Sequence, residues 1–229
     1  MAKEKITKPE EETLGAAMSK TESFFEENGK KVTYGLFALL ILAGCIFGYK
    51  KLVSEPRIVK AAEMLIEAET RFAEETPDFE LALNGDENGA GFLEIVDKYG
   101  STPSGNIAKH CAGICYMRLG DMESAAKYLK MYSAVDGVPG AIVNAQNLGL
   151  QGDILFEAGD YAAAAKLFVK ASESSDNVYT SPLYLRKAAL AEQALGNRVK
   201  AQEYLQRILD EYPASNDARE AEKLLGANN

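Results

Sequence analysis

Small and apolar residues recur at helical spacing along most of this chain, and three stretches repeat one arrangement. In Leu148–Ala171, Gly152, Leu155, Gly159, Asp160, Tyr161, Ala164, Phe168 and Ala171 fall where two helices would meet across small side chains. Asn106–Tyr132 places Ala112, Gly113, Tyr116, Gly120, Asp121, Ala125 and Leu129 in the same order, and Leu183–Pro213 places Ala188, Ala189, Gly196, Asn197, Ala201 and Leu205. Each position has a physical reason. Residues 113, 152 and 189 are small so that a second helix can approach, and Ala125, Ala164 and Ala201 answer from the other side. Gly120, Gly159 and Gly196 stand just past a helix, where positive φ is needed. Asp121, Asp160 and Asn197 are then expected to cap the next helix. The turn glycines are 39 and 37 residues apart, slightly more than a period of about 34.

Other elements follow from the same pattern. Residues 57–75 predict an amphipathic helix through Ile58, Ala61, Ala62, Leu65, Ala68 and Phe72. Residues 76–88, with Pro77, Asn84-Gly85 and Asp86, predict a loop with at most a short helical turn. Residues 89–99 return to helix, Pro213 stops the last repeat, and residues 214–225 form a closing helix. Residues 1–31 predict a solvated, mostly disordered tail, or a weakly amphipathic helix on Leu14, Ala17, Met18 and Phe24-Phe25 that Asn28-Gly29 ends.

Val32–Tyr49 is 18 residues without a charge. As a helix it spans roughly 27 Å, close to the roughly 30 Å of a bilayer core. Tyr34 and Tyr49 sit where interfacial aromatics belong, and Lys30-Lys31 and Lys50-Lys51 can reach the headgroups. Its eight large apolar residues favour insertion by about 2.4 to 4.8 kcal/mol. Two further readings stay open. Leu42-Ala43-Gly44-Cys45 is similar to a lipobox, which would make Cys45 a lipid anchor, although a long acidic leader before it is unlike a secretory start. Gly44 and Gly48 match a small-xxx-small face for self-association of the span. Three lysines before the stretch against four cationic residues after it leave its orientation undecided.

Composition narrows the function. Apolar residues make up 47% and charged residues 26%, enough for a packed core. Net charge is −9. Residues 1–31 carry −1 and residues 32–52 carry +2, so −10 falls on residues 53–229. An acidic domain of this kind is a poor fit to nucleic acid, because phosphate binding depends on clustered Lys and Arg. Three cysteines make no disulfide framework. Cys111 and Cys115, four apart on one helix, have Cβ atoms about 5–6 Å apart and read as small buried apolar residues. The single histidine, His110, cannot belong to a metal cluster, and no nucleophile elbow, phosphate loop or dinucleotide fingerprint appears. No catalytic residue, metal or cofactor is expected.

With three Gly-Asp/Asn hairpins in register, the chain resembles the tetratricopeptide repeat family. The resemblance implies an all-α solenoid of about three clear repeats, with a degenerate first unit and a C-terminal cap. The order of polar tail (1–31), span (32–53), long helix and degenerate unit (54–105) and solenoid (106–229) is similar to the single-span ancillary subunits of the bacterial Sec translocon. That likeness implies an inner-membrane protein with a cytoplasmic N-terminus and a periplasmic repeat domain. It also implies protein partners: translocon subunits, chaperones or emerging polypeptides. The family's groove positions fall on Ile107, His110, Ile114, Met117 and Arg118 in the first hairpin. They fall on Gln146, Gly149, Asp153, Phe156 and Glu157 in the second, and on Leu183, Arg186, Leu190 and Gln193 in the third. Some relatives clamp a terminal carboxylate with Lys and Asn. Here those places hold His110, Ile114, Gly149 and Asp153, so a mixed apolar groove for a helix or extended segment is expected instead. Helix 57–75 or loop 76–88 filling that groove is the alternative. Functional alternatives are a self-associating tether without clients, a homodimer paired through Gly44, Gly48 and the repeat edges, and a lipid-anchored repeat protein.

Overall fold

The computed structural model describes residues 9–138 and 140–227 and divides into two compact units, residues 1–56 and 57–229. The first unit consists of α1 (Pro9–Tyr49) and a π-helical turn (Lys50–Ser54). The helix runs through Asn28-Gly29, where the sequence pattern predicted a stop, and it makes a helix of tail residues expected to be mostly disordered. A single interior glycine costs only about 1 kcal/mol, and Thr33 Oγ1 donates to the Gly29 carbonyl at 2.8 Å inside the helix. Residues 1–8 of that tail, and the side chains of Leu14, Ala17, Met18, Phe24 and Phe25, lie outside the described residues. The large apolar side chains from Leu36 to Phe47 are exposed. Among the described residues one helix is long and apolar enough to cross a membrane, near the N-terminus, where a leader would meet the same test. The π-helical turn has a local cause. Pro56 has no N–H to offer the ladder, and the preceding turn widens so that the Glu55 N–H reaches the Lys50 carbonyl.

The second unit is all-α apart from one two-residue hairpin. α2 (Glu55–Phe72) leads into α3 (Phe79–Asn84), β1 (Gly85–Asp86), β2 (Gly89–Ala90) and α4 (Phe92–Tyr99). β1 and β2 pair antiparallel, Gly85 with Ala90. Residues 76–88 are therefore more ordered than their turn residues suggested. Asp78 accepts from the Leu81 N–H at 2.9 Å and starts α3, whose Ala82 and Leu83 are buried. Arg71 then pins the hairpin, donating to Asp86 Oδ1 at 2.8 Å and to the Gly89 carbonyl at 3.1 Å. Met64, Ala68, Leu83, Phe92, Ile95, Cys111 and Cys115 share one core with these elements. Burial pushes both thiols up to about 12, so they are uncharged apolar filling.

Three helical hairpins follow, forming a tetratricopeptide-like solenoid: α5 (Pro103–Leu119) with α6 (Met122–Met131), α7 (Gly140–Glu157) with α8 (Tyr161–Glu173), and α9 (Thr180–Ala194) with α10 (Arg198–Glu211). α11 (Asn216–Ala227) closes the array. The small residues work as their spacing implied. A Cβ on Gly113 would stand 2.6 Å from Leu129 Cγ, and one on Gly152 would stand 2.6 Å from Phe168 Cε1. In the third hairpin Ala189 and Leu205 are fully buried in one cluster. Gly120, Gly159 and Gly196 have φ of 84°, 81° and 79°. Asp121 and Asp160 cap α6 and α8 by accepting from Ser124 and Ala163 N–H at 2.9 and 3.1 Å.

Asn197 departs from that expectation, since its side chain makes no cap bond. Its amide instead donates to Glu192 Oε2 at 2.7 Å. Glu192 is only 2% exposed, and a carboxylate so enclosed requires donors. Desolvation pushes its pKa up, but hydrogen bonds from Lys200 and Asn197 outweigh that and hold the group ionised, below its ordinary value.

Candidate functional site

The first helices of the first two hairpins, α5 and α7, supply most of a cavity of about 420 Å³. Ile114, Met117 and Arg118 come from α5, Met122 from the start of α6, and Gln146, Leu150, Asp153, Phe156 and Glu157 from α7. Seven of these nine were named from the repeat pattern. Leu150 was missed although it lies one turn from Gln146 on the same face. Met122 was missed because groove positions were sought only on first helices.

The lining combines adaptable apolar surface with fixed charge. Phe156 meets the Tyr161 ring edge-on at 4.9 Å, which braces it from the start of α8. Asp153 accepts from Lys187 Nζ of α9 at 2.8 and 2.7 Å through its two oxygens. Lys187 in turn lies 5.6 Å from the Phe168 ring centre and 5.9 Å from that of Tyr184. Arg118 stands 6.0 Å from the Phe79 ring centre. α3 thus contributes a ring behind the rim of the cavity, and none of the lining residues comes from α2 or from residues 76–88.

The other candidates lie elsewhere. Ile107 packs against the first core. His110 is 4% exposed and belongs to a buried polar chain. Asn147 Nδ2 is 3.1 Å from its Nδ1, Gln146 Oε1 is 3.4 Å from its Nε2, and Gln151 donates to Asn147 Oδ1 at 2.8 Å. These partners select the neutral imidazole with its proton on Nε2. Burial lowers the His110 pKa, opposed only partly by the Gln146 bond. Gly149 is closed by α9, because a Cβ there would lie 2.1 Å from Tyr184 Cε1. Leu183 packs into the second core. Arg186 donates to Asp217 of α11 at 2.6 Å. Leu190 and Gln193 are half-buried. Around Gly44 and Gly48, space for a Cβ is open on every side. Among the described residues, no group of three or more His, Cys, Asp or Glu is gathered to hold a metal.

A larger, open groove of about 680 Å³ runs along α10 beside Leu225. Glu203, Arg207, Asp210 and Glu211 line much of it, and Arg207 is bonded to Glu211 at 2.9 Å. It is shallow and open to solvent, whereas the α5/α7 cavity is more enclosed, so the smaller cavity is the better candidate.

Residues 184–215, covering most of α9 and α10, match the tetratricopeptide repeat family model. No curated protein sequence matches the chain. Among solved structures, a crystal structure of the MamA protein aligns with a TM-score of 0.47 and 18% identity over 83% of this chain and 91% of that one. A second MamA crystal structure aligns with a TM-score of 0.41 and 20% identity over 53% and 69%. Tetratricopeptide repeats are a scaffold for protein–protein contact, and their stacking creates extended surfaces that partners use. The hairpins here support that general role.

Proposed function

We propose that the chain is a membrane-tethered protein-interaction module. Residues 32–53 form the span, residues 1–31 the tail on one side, residues 54–105 the linking helix and first unit, and residues 106–229 the docking solenoid. The observation that carries this reading is the α5/α7 cavity, where Met117, Ile114, Leu150 and braced Phe156 offer apolar surface under a rim of Arg118, Asp153 and Glu157. Such a lining suits an amphipathic segment of a partner protein. The order of span, linking helix and repeats supports placement at a bacterial inner membrane, with the N-terminus in the cytoplasm and the repeats in the periplasm. Translocon subunits, chaperones or emerging polypeptides are then the partners at hand.

Photocrosslinking in cells from Met117 and Phe156 tests the groove. Adducts from these two sites, and none from Glu203 on the outer face of α10, support it. Equal yields from all three sink it. A reporter fused after Asn229 tests the side of the membrane, and a cytoplasmic signal removes the translocon-associated reading while leaving the groove intact. The self-associating tether rests on the Gly44-x-x-x-Gly48 spacing within the apolar helix. Replacing both by Leu lowers self-association in detergent if that reading holds.

A further inference from the structure

The α5/α7 cavity lies at one end of the helices that form it. α5 supplies Ile114, Met117 and Arg118 from its C-terminal turns, α7 supplies Asp153, Phe156 and Glu157 from its own, and Met122 enters from the start of α6. Because α6 returns the chain between them, α5 and α7 run in the same direction. Both therefore turn their C-terminal carbonyls, the negative ends of their dipoles, toward this side of the cavity. Three of the four helices in the first two hairpins answer that end with a cation in the last turn: Arg118 in α5, Lys130 in α6 and Lys170 in α8. α7 has no basic residue there and ends on Glu157.

Glu157 is the charge at this rim that the chain leaves unanswered. Asp153, one turn before it, is held by Lys187 at 2.8 and 2.7 Å. Arg118 offsets the α5 terminus and stands 6.0 Å from the Phe79 ring centre. The N-terminus of α8, which follows Glu157 in the chain, is already capped by Asp160, whose carboxylate accepts from the Ala163 N–H at 3.1 Å. Glu157 itself is exposed and, among the described residues, pairs with no cation. A carboxylate at a helix C-terminus is unfavourable for that helix, so a cation supplied from outside gains from the side chain and from the dipole together. Beside it, Ile114, Met117, Met122, Leu150 and Phe156 make an apolar surface that the two methionines can adapt. At longer range, the −10 carried by residues 53–229 attracts a basic partner and repels an acidic one.

We propose, on the docking reading of this cavity given above, that its occupant is a basic amphipathic helix of a partner protein. Apolar side chains of that helix enter between α5 and α7, and a Lys or Arg one turn away pairs with Glu157. A helix meets both needs because positions three or four apart share a face, which sets anchor and cation side by side.

Three synthetic helical peptides test the sign of that charge. They share one leucine face and differ only in the residues flanking it, all Lys, all Gln or all Glu. Each is mixed below saturation with the full chain in non-ionic detergent, the chain carrying p-benzoylphenylalanine at position 156 or, as a control, at position 203. The expected result is photocrosslinking at 156 and not at 203, with yields in the order Lys, Gln, Glu. The Lys peptide exceeds the Gln peptide by about two- to fivefold, the worth of one partly exposed ion pair. That margin narrows in high salt and disappears in Glu157→Gln. Equal yields from the three peptides at 156 overturn the basic partner and leave the docking cavity standing. A preference for the Glu peptide does the same and makes Arg118 the selecting charge. A Lys preference that Glu157→Gln leaves intact overturns the pairing with Glu157 and traces the selection to the net charge of the domain. No crosslinking at 156 above that at 203 overturns the docking reading as well.

Discussion

The junction between the first and second hairpins carries a buried polar chain beside a small apolar cluster, whereas the buried residues between the second and third are mainly apolar. Where α5 meets α7, His110, Gln146, Asn147 and Gln151 form a hydrogen-bonded chain, and Tyr132 Oη donates to Asn144 at 2.8 Å beside it. Ala125, Leu129 and Ile154 are the buried apolar residues nearby. Where α7 and α8 meet α9, Ala145, Ala164, Ala165, Phe168, Ala171, Tyr184, Ala188 and Ala191 pack as one cluster, and Gly149 admits the Tyr184 ring. The same repeat spacing thus supports two kinds of seam. Apolar contact is insensitive to proton activity and tolerates no lost volume. A buried polar chain demands every partner and responds to charge on any one of them. The candidate cavity opens at the polar seam, between side chains of α5 and α7.

Four measurements break or sharpen this contrast, all on the full chain in detergent by chemical or thermal unfolding. Phe168→Ala removes the centre of the apolar seam and lowers stability by about 3–5 kcal/mol, the largest effect expected. A loss no greater than that of a polar-seam variant removes the distinction. Gly149→Ala sets a methyl group against the Tyr184 ring and costs about 1–3 kcal/mol. A neutral result there means that the ring swings aside and the seam is loosely packed.

The polar seam shows itself in pH. Burial lowers the His110 pKa, so below about 6.5 the unfolded chain binds a proton that the folded chain resists. The stability that His110 contributes is present above that pH and is lost as pH falls towards its folded pKa, by at most about 1.4 kcal/mol per pH unit. His110→Gln therefore flattens the melting temperature between pH 7.5 and 5 relative to the parent, while Tyr184→Phe in the apolar seam keeps the parent slope. Parallel slopes for all three proteins refute the assignment. The smallest effect is at the Asp153–Lys187 pair, which is partly exposed. Lys187→Met costs less than about 1 kcal/mol, and a larger loss makes that pair a structural member of the apolar seam.

Much of the fold was legible because its determinants are local. The spacing from Gly113 to Leu129 is the same as from Gly152 to Phe168, and the turn glycines announce their own φ. The exceptions have tertiary causes. Asn197 abandons its cap for Glu192 on the preceding helix. Residues 79–90 fold because Arg71 reaches across to Asp86 and Gly89, a pairing no local rule contains. Among candidate groove residues, α5 and α7 positions converge because those helices are neighbours. Arg186 is drawn away by Asp217, and Gly149 is sealed by Tyr184.

By itself, the sequence determined that this chain makes helical hairpins, one long apolar helix and an acidic repeat unit. Periodicity, turn chemistry and charge are properties of residues close together along the chain. Only the tertiary structure decided which seam is polar and where a cavity opens. Those depend on pairs such as His110 with Asn147, which are 37 residues apart, and their meeting is set by how whole helices stack.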